Sequence, residues 1–294
     1  MRTYVVPVDF SKSSNLALDY AIARARRRKA KLFLVHVIST NALVAASSDG
    51  AGSAELILKA QEAATGSARD AMRKLVARKG LKPREYRLFF IESLDPAAAI
   101  ANQARKSRAR MIIMGSEGRT GIKRIFAGSV AEATLRATRR PLLIVKQSRR
   151  TKPPAKVIVV PVDFSKVSLA VLRSAKEIAK AEKEKLLLLT VATEPDQMVP
   201  FYVRDDYHFD LIREETTRLK QLAARSQLRP SNYRVLVVRG TDAAAAIVKE
   251  AKKRRASMIV MGSHGRSGLK HLVLGSIAER TLRQADCPVL IYKK

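Results

Sequence analysis

The sequence predicts an α/β protein made of two tandem domains, each a doubly wound five-stranded parallel sheet flanked by helices. The chain has 294 residues, which is the length of two domains of ordinary size. The segment YVVPVDFSKSSNLALDYAIARA from Tyr4 returns as VIVVPVDFSKVSLAVLRSAKEIAKA from Val157, so one unit is present twice. Within each copy, short apolar runs alternate with helical segments, which is typical of parallel strands joined by crossover helices.

Each element of the first copy follows from its local pattern. The β-branched run TYVVPV from Thr3 predicts a strand. The next segment begins with Ser11, which can cap a helix, and its apolar residues keep helical spacing. KLFLVHVI predicts a buried second strand. The remaining predicted elements are a helix over 53–79, strand REYRLFF (84–90), helix DPAAAIANQARKS (95–107), strand ARMIIMG (109–115), a helix from Ser129 and strand PLLIVK (141–146). The second copy has the same order.

A polar and basic segment, QSRRTKPPAK, separates the two copies and contains Pro153 and Pro154. Such a composition is typical of a linker. We therefore expect one domain over 1–148, a linker over 149–155 and a second domain over 156–294.

Cysteine content and hydropathy exclude several protein classes. Cys287 is the single cysteine of the chain, so a disulfide framework is excluded and a reducing compartment is favoured. The N-terminus reaches Asp9 before any long apolar run, which is not the pattern of a signal peptide. No run approaches the roughly 18 apolar residues of a membrane helix. We expect a soluble cytoplasmic protein.

The formal net charge of +31 predicts attraction to polyanions. The densest basic runs each fall at the end of a predicted helix, where cations also complement the helix dipole. Since these helix ends lie at the edge opposite the carboxyl ends of the strands, we expect a separate basic face. It is predicted to bind an anionic partner such as nucleic acid or an acidic membrane surface, with few aromatic side chains for stacking. The runs are RARRRKAK (24–31), RKSRAR (105–110), RATRR (136–140) and KKRR (252–255).

A glycine-rich stretch follows the fourth strand of each copy: MGSEGRTGIKRIFAGS (114–129) and MGSHGRSGLKHLVLGS (261–276). Ligands of open α/β sheets lie beyond the carboxyl ends of the strands. Each stretch ends in Gly-Ser at a helix start, where backbone N–H groups and the helix dipole attract anions. The pattern predicts a phosphate site, and the alternative is a ligand-free glycine turn. It is neither a P-loop, since no Gly-Lys dipeptide occurs, nor the dinucleotide fingerprint, which follows the first strand.

The spacing G-x2-G-x9-G-[ST] after a strand resembles the signature of the universal stress protein family, in its ATP-binding class. VPVDFS resembles the end of that family's first strand, LVHVI the end of its second, and CPVLIY its last strand. The resemblance covers essentially the whole chain as a tandem of two such domains. It implies the strand order 3-2-1-4-5, which places Asp9 and Gly115 at one crevice.

The resemblance also implies ATP, with or without Mg²⁺, as the ligand of each crevice. The aspartates would lie beside adenine and ribose, and the valines of the second strand would offer backbone groups to adenine. The first glycine would lie against the ribose, and the other glycines, the serine and the residue after it would hold phosphates. The implied binding residues are Pro7, Val8, Asp9, Val37, Met114, Gly115, Gly118, Arg119, Gly128, Ser129 and Val130, with Pro161, Val162, Asp163, Val191, Met261, Gly262, Gly265, Arg266, Gly275, Ser276 and Ile277.

The copies depart from the family pattern in different places. The histidine of GSHGR is present as His264, but the first copy has Glu117. The glycine after the third strand is Gly240 in the second copy and Ser93 in the first. We expect both sites to be competent, with the second closer to the family in its phosphate loop. The two aspartates could instead be helix caps, although their recurrence before Phe-Ser favours a site.

Nothing in the sequence assigns a catalytic or metal-binding residue. Hydrolysis of ATP needs a positioned water and charge stabilisation, and the loops carry no paired carboxylates. His264 with His271 could be a base or a metal pair, and His208 among Asp205, Asp206 and Asp210 could hold a divalent metal, but solvated surface is the better explanation of both groups.

We therefore expect a regulatory ATP-binding module of the stress response. The two domains are expected to form an intramolecular pseudo-dimer through their last strands, and a further homodimer is compatible with the sequence. The alternatives are a slow ATPase, or a nucleotide-free scaffold that uses the basic face or the loops 39–53 and 192–204.

Overall fold

The computed structural model describes residues 2–39, 54–116, 129–146, 154–192, 204–264 and 274–293. Most of the predicted linker and of the loops 39–53 and 192–204 lies outside the described residues. The chain divides into two compact units, Met1–Val145 and Lys146–Lys294, called unit 1 and unit 2. The predicted pairing of the two last strands stays a prediction.

Unit 1 is a parallel sheet in the order β3-β2-β1-β4-β5, which confirms the expected order 3-2-1-4-5. Helices alternate with the strands, as the sequence pattern predicts. The elements are β1 (Thr3–Pro7), α1 (Lys12–Arg28), β2 (Lys31–Ser39), α2 (Ala54–Arg78), β3 (Tyr86–Ser93), α3 (Pro96–Lys106), β4 (Met111–Gly115), α4 (Ser129–Ala137) and β5 (Leu142–Val145).

Unit 2 repeats the arrangement as a parallel sheet in the order β8-β7-β6-β9-β10. Its elements correspond one to one with those of unit 1. They are β6 (Val157–Pro161), α5 (Lys166–Glu182), β7 (Lys185–Ala192), α6 (Arg204–Arg225), β8 (Tyr233–Arg239), α7 (Ala243–Lys253), β9 (Met258–Gly262), α8 (Ser276–Gln284) and β10 (Val289–Tyr292).

The core of each unit is formed by the central strands and the apolar stripe of the flanking helices. The described strands β4 and β5 are buried throughout, as expected of a parallel sheet covered on both faces. Helix α1 buries Leu18 and Ile22 one turn apart against the sheet. It also buries Arg24, which is 1% exposed. The expected basic face therefore does not include the whole run 24–31, because Arg24 belongs to the interior.

The third strand begins two residues later than the sequence predicts. Residues Pro83–Glu85 form a short 3-10 turn, in which Glu85 accepts the backbone N–H of Lys82 at 2.8 Å. The same carboxylate accepts Arg26 Nε at 2.9 Å. The Arg26 guanidinium contributes most, and the Lys82 N–H next, to lowering the pKa of the Glu85 carboxyl from its ordinary value. Because Glu85 forms hydrogen bonds within this turn and to Arg26 of α1, the turn takes the place of the predicted strand start.

Among the described residues, no helix combines the length and the apolar character that crossing a membrane requires.

The glycine that ends the fourth strand of each unit lies directly against the first turn of the helix after the first strand. A Cβ on Gly115 would lie 2.6 Å from both the carbonyl carbon and the carbonyl oxygen of Ser13. On Gly262 it would lie 2.7 Å from Val167 Cγ1. Both distances are below van der Waals contact. At Gly115 the neighbour is backbone, so the fold itself requires glycine there whatever ligand the crevice binds, whereas at Gly262 the Val167 side chain would have to shift.

We predict that Gly115→Ala destabilises the protein by about 1–3 kcal/mol, the usual cost of overpacking against atoms that cannot move. The matched control is Gly66→Ala in α2, where an added Cβ meets nothing within 4 Å. It should stabilise by about 0.5–1 kcal/mol, because alanine loses less backbone entropy in a helix. Urea-induced unfolding followed by circular dichroism measures both. Equal unfolding midpoints for the two variants would contradict the steric explanation.

Candidate functional site

A pocket of about 360 Å³ lies at the carboxyl ends of β6 and β9 in unit 2. Its floor is apolar, and the first turns of α7 and α8 form one side. It is lined by Pro161, Val162, Asp163, Ser168, Leu189, Thr190, Val191, Ala243, Ile247, Met261, Gly262, Ser263, His264, Gly275, Ser276, Ile277 and Ala278.

The pocket brings together every described residue that the sequence assigns to the second copy. These come from three strands and from the start of α8, and they are far apart in the chain. Gly265 and Arg266 lie outside the described residues. The residues brought together are Pro161, Val162, Asp163, Val191, Met261, Gly262, Gly275, Ser276 and Ile277.

The corresponding residues of unit 1 occupy the same edge of its own sheet. Strands β1 and β4 are neighbours, with Val5 paired to Ile112, so the ends of both strands meet. The Val8 N–H continues the ladder to Val35 O at 2.8 Å. The segments Pro7–Asp9 and Met114–Gly115 thus adjoin, and Val37 follows on β2. Ser129 and Val130 begin α4, and Gly118, Arg119 and Gly128 lie outside the described residues.

The two aspartates are not the helix caps. Ser11 caps α1 by accepting the N–H of Ser14 at 3.1 Å, and Ser165 caps α5 through Ser168 at 3.2 Å. Asp9 Oδ1 accepts the Ser11 N–H at 3.0 Å. Asp163 Oδ1 accepts both the N–H of Ser165 at 3.1 Å and its hydroxyl at 2.7 Å. Each aspartate therefore fixes the capping serine, and is itself held at the crevice.

A left-handed phenylalanine separates each aspartate from its serine. Phe10 has φ 66° and Phe164 has φ 61°, a conformation that a bulky side chain adopts at an energetic cost. Phe10 packs on His36, with ring centroids 4.9 Å apart. Phe164 is covered by the Arg218 guanidinium, 4.2 Å from the ring centroid, which is a cation–π contact. Both units therefore have the strained turn, but the side chain that packs on the phenylalanine ring differs between them.

His36 belongs to the support of the first crevice. It is 5% exposed, and its Nδ1 lies 2.6 Å from Val8 O. A carbonyl oxygen can only accept, so Nδ1 carries the hydrogen and donates. The corresponding residue in unit 2 is Thr190, which is also buried. The side chain thus links β2 to the residue before Asp9.

The start of α8 presents backbone N–H groups to the pocket. Gly275 is its cap, with extended backbone (φ −68°, ψ 148°) and no side chain to accept them. Its own N–H donates to Ser263 O at 2.7 Å, which anchors the helix start to the end of β9. Ser276 and Ile277 follow on the exposed first turn. This end carries the positive pole of the helix dipole and can receive an anion.

Sequence reasoning missed the wall formed by α7, represented by Ala243 and Ile247. A signal was present, because an aspartate follows the third strand in both copies and can cap the next helix. Asp242 accepts the Ala245 N–H at 3.0 Å, and Asp95 accepts the N–H groups of Ala97 and Ala98 at the same distance. Both helices therefore begin at the carboxyl edge of the sheet.

Two polar groups at the end of β9 also line the pocket. Ser263 is 2% exposed, and its Oγ lies 2.9 Å from His264 Nδ1. Among the described residues, no group of three or more His, Cys, Asp and Glu residues is placed to hold a metal ion. His271 and the side chains of Asp205, Asp206 and His208 lie outside the described part, and Cys287 is buried.

Comparison with known proteins gives the same assignment throughout the chain. The model of the Universal stress protein family matches residues 1–146 and 154–293. A universal stress protein of Methanocaldococcus jannaschii is 35% identical over 141 residues, 47% of this chain and 82% of its own. One of Mycolicibacterium smegmatis is 25% identical over 293 residues, covering 98% of this chain and 96% of its own.

A solved structure shows that the fold extends over both units. The crystal structure of a universal stress protein from Archaeoglobus fulgidus aligns with a TM-score of 0.69 and 22% identity. It covers 99% of this chain and 96% of the other. Because the family model matches nearly every residue in two consecutive copies, the chain belongs to the universal stress protein family as a tandem of two of its domains.

Proposed function

We propose that each unit binds ATP at the crevice between its first and fourth strands, and that the protein is a regulatory module of the stress response. The observation that carries the proposal is the pocket of unit 2, lined by all the described residues assigned from the sequence. Its volume of about 360 Å³ falls within the usual range for small-molecule sites. The apolar floor beside a helix start matches a ligand with a flat base and an anionic tail.

Each part of ATP has a matching part of the pocket. Val162 and Ile247 offer apolar surface to adenine, and the Asp163 carboxylate can accept from ribose hydroxyls. Ser165 holds that carboxylate in place through two hydrogen bonds, so little ordering is needed on binding. The phosphates would lie at the start of α8, near Ser276. In this proposal Mg²⁺ would be bound by the phosphates of ATP.

A universal stress protein has been solved in complex with cAMP, which is an adenine nucleotide. That structure aligns with this chain at a TM-score of only 0.34. The proposal therefore stands on the pocket and not on that likeness.

One observation favours slow hydrolysis as a second candidate. His264 lines the pocket and lies beside Ser263, so an imidazole is available as a base near the phosphate end. A base alone does not stabilise the charge of phosphoryl transfer. We therefore propose that the site acts by binding ATP, and that the presence of bound ATP is the regulatory signal.

The Arg280–Asp242 ion pair links the two helices that form the wall of the second pocket. Asp242 is the cap of α7, and Arg280 lies on α8. The Ala245 N–H, followed by Arg280, lowers the pKa of Asp242 from its ordinary value. Position 133 of the first copy, which corresponds to Arg280, is alanine. We infer that this ion pair holds the wall of the second pocket more rigidly than the corresponding wall in unit 1 is held.

We predict that Ala243→Trp fills the pocket of unit 2 and weakens ATP binding there at least about tenfold. The indole would occupy volume where Ala243 now lines the cavity. Isothermal titration calorimetry should show two ATP per wild-type chain and one per variant chain. The control is Ala245→Trp on the same helix, which is exposed and does not line the pocket. Two unchanged sites in Ala243→Trp would refute the assigned crevice.

We expect that the protein binds ATP without hydrolysing it. After ATP is incubated with the purified protein and then released, chromatography should recover ATP, and the amount of phosphate should equal that of a sample without protein. Phosphate release that His264→Gln abolishes and His36→Gln leaves intact would establish hydrolysis at unit 2 in place of occupancy.

Arg280→Ala should raise the pKa of Asp242, which stays below its ordinary value because the Ala245 N–H remains. A lowered carboxyl pKa stabilises the fold above the unfolded pKa, and that stability is lost as the pH falls through the folded pKa. As the pH falls, the variant should therefore lose this contribution to the free energy of unfolding at a higher pH than the wild type. NMR titration of the side-chain carboxyl carbons measures this, with Glu85 beside Arg26 as the unchanged reference. An unaltered Asp242 titration would show that the pair does not form in solution.

A further inference from the structure

The edge of the unit 1 sheet opposite the crevice carries a dense group of cations. We define the basic edge as Arg2 with residues 26–31 and 105–110. Its centre is fixed by two backbone hydrogen bonds: Lys31 N–H donates to Arg2 O at 2.8 Å, and Arg110 N–H donates to Thr3 O at 2.8 Å. The starts of β2, β1 and β4 therefore lie side by side, about 4.8 Å apart, and each brings a cation.

Helix dipoles do not explain this arrangement. They account for cations in the last turns of α1 and α3, such as Arg27 and Lys106, which complement the negative end of the helix. They do not account for Arg2, Lys31 and Arg110, which stand at strand starts, where no such pole exists. Three neighbouring like charges repel one another, and a partner of opposite charge would relieve that repulsion.

The sequence keeps carboxylates away from this edge. No Asp or Glu occurs between Asp19 and Asp49, or between Asp95 and Glu117. These two stretches contain the whole of the basic edge apart from Arg2. Glu85 reaches it from outside and pairs with Arg26. A continuous positive potential is the expected result.

Unit 2 provides an internal comparison, because its corresponding edge is mixed in charge. Glu182 and Glu184 stand among the cations at the end of α5, and Glu250 pairs with Arg254 at 3.2 Å at the end of α7. Where unit 1 has Arg110, unit 2 has Ser257, whose hydroxyl contacts Glu184. The two units share one backbone plan, so an edge whose own segments carry no carboxylate is a property of unit 1 and not of the fold.

Two of the cations occupy left-handed positions. Lys29 and Arg108 both have φ 48° and are exposed, at sites where glycine is the residue without steric cost. Their counterparts Lys183 and Arg255 have φ 55° and 49°. The chain thus places a charge where backbone preference favours glycine, and this offers a substitution that removes charge without harming the fold.

The chemistry of the edge fits phosphodiesters on a duplex. Arginine, which binds phosphate through two N–H groups, outnumbers lysine in the basic edge. The exposed large apolar residues of the described chain are Leu58, Leu94, Val130, Phe209 and Ile277, and none belongs to the edge. The edge thus has no apolar side chain to insert into a membrane and no exposed aromatic ring to stack on unpaired bases.

We propose that the basic edge of unit 1 binds the phosphate backbone of double-stranded nucleic acid, without sequence preference. It lies across the sheet from the crevice, so duplex and nucleotide can occupy unit 1 together. The proposal does not depend on ATP binding.

Fluorescence anisotropy of a labelled 20-base-pair DNA duplex, titrated with the full chain over a range of salt, tests the proposal. The wild type should bind at low salt, and the logarithm of its affinity should fall linearly with the logarithm of salt. Lys29→Gly/Arg108→Gly should weaken binding several-fold and reduce that slope by about 1.8, because each phosphate contact contributes about 0.9. Lys183→Gly/Arg255→Gly removes the same two charges from unit 2 and should bind like the wild type.

The glycine variants should keep or raise the thermal unfolding midpoint, since the left-handed strain is removed, and this separates lost contacts from lost structure. Absence of duplex binding by the wild type at low salt would overturn the proposal, as would equal losses in the two variants. Tighter binding to phosphatidylserine vesicles or to single-stranded DNA than to duplex, lost in the unit 1 variant, would assign the edge to that partner instead.

Discussion

The structure depends on the close approach of one helix to one strand. In each unit the helix after the first strand must begin directly at the sheet edge, and its first turn lies against the end of the fourth strand. Ser13 against Gly115, and Val167 against Gly262, leave no room for a Cβ. To start the helix so early, the chain reverses through a left-handed phenylalanine. That reversal places Asp9 and Asp163 beside the glycines, so the crevice is a consequence of packing before any ligand is considered.

The same parallel arrangement separates the charges of each unit. Every helix begins at the carboxyl edge and ends at the amino edge, so caps such as Asp95 and Asp242 gather at one end. Cations that suit helix ends gather at the other. The carboxyl edge thereby acquires backbone N–H groups and carboxylates that can hold a polar ligand. The amino edge is free to become a surface, and in unit 1 the segments 26–31 and 105–110 bring cations and no carboxylate to it, with Glu85 reaching in to pair with Arg26.

Local patterns were sufficient to predict the elements and their order along the chain, and the family resemblance implied the strand order and the residues that meet in the second pocket. Contacts between distant segments were not predictable. The late start of β3 depends on Glu85 reaching Arg26, and the burial of Arg24 in α1 has no signal in a run of cations. The α7 wall and the Arg280–Asp242 pair depend on how two helices lie together. The serine, and not the aspartate, caps the helix because only its oxygen reaches the N–H three residues on.

Comparison of the two copies separates what the backbone requires from what a site can vary. The glycine, the aspartate, the left-handed phenylalanine and the capping serine recur, and each is held by a steric or hydrogen-bond constraint. The groups around them differ: His36 packs on Phe10, whereas Arg218 covers Phe164. A duplication that keeps the constraints and changes these neighbours yields two crevices built on the same backbone plan and supported by different side chains. In unit 2 a guanidinium covers the ring of Phe164, while in unit 1 an imidazole packs on Phe10 and donates to the Val8 carbonyl. Affinity for a polyanionic ligand therefore need not be equal in the two units, even though the backbone that forms them is the same.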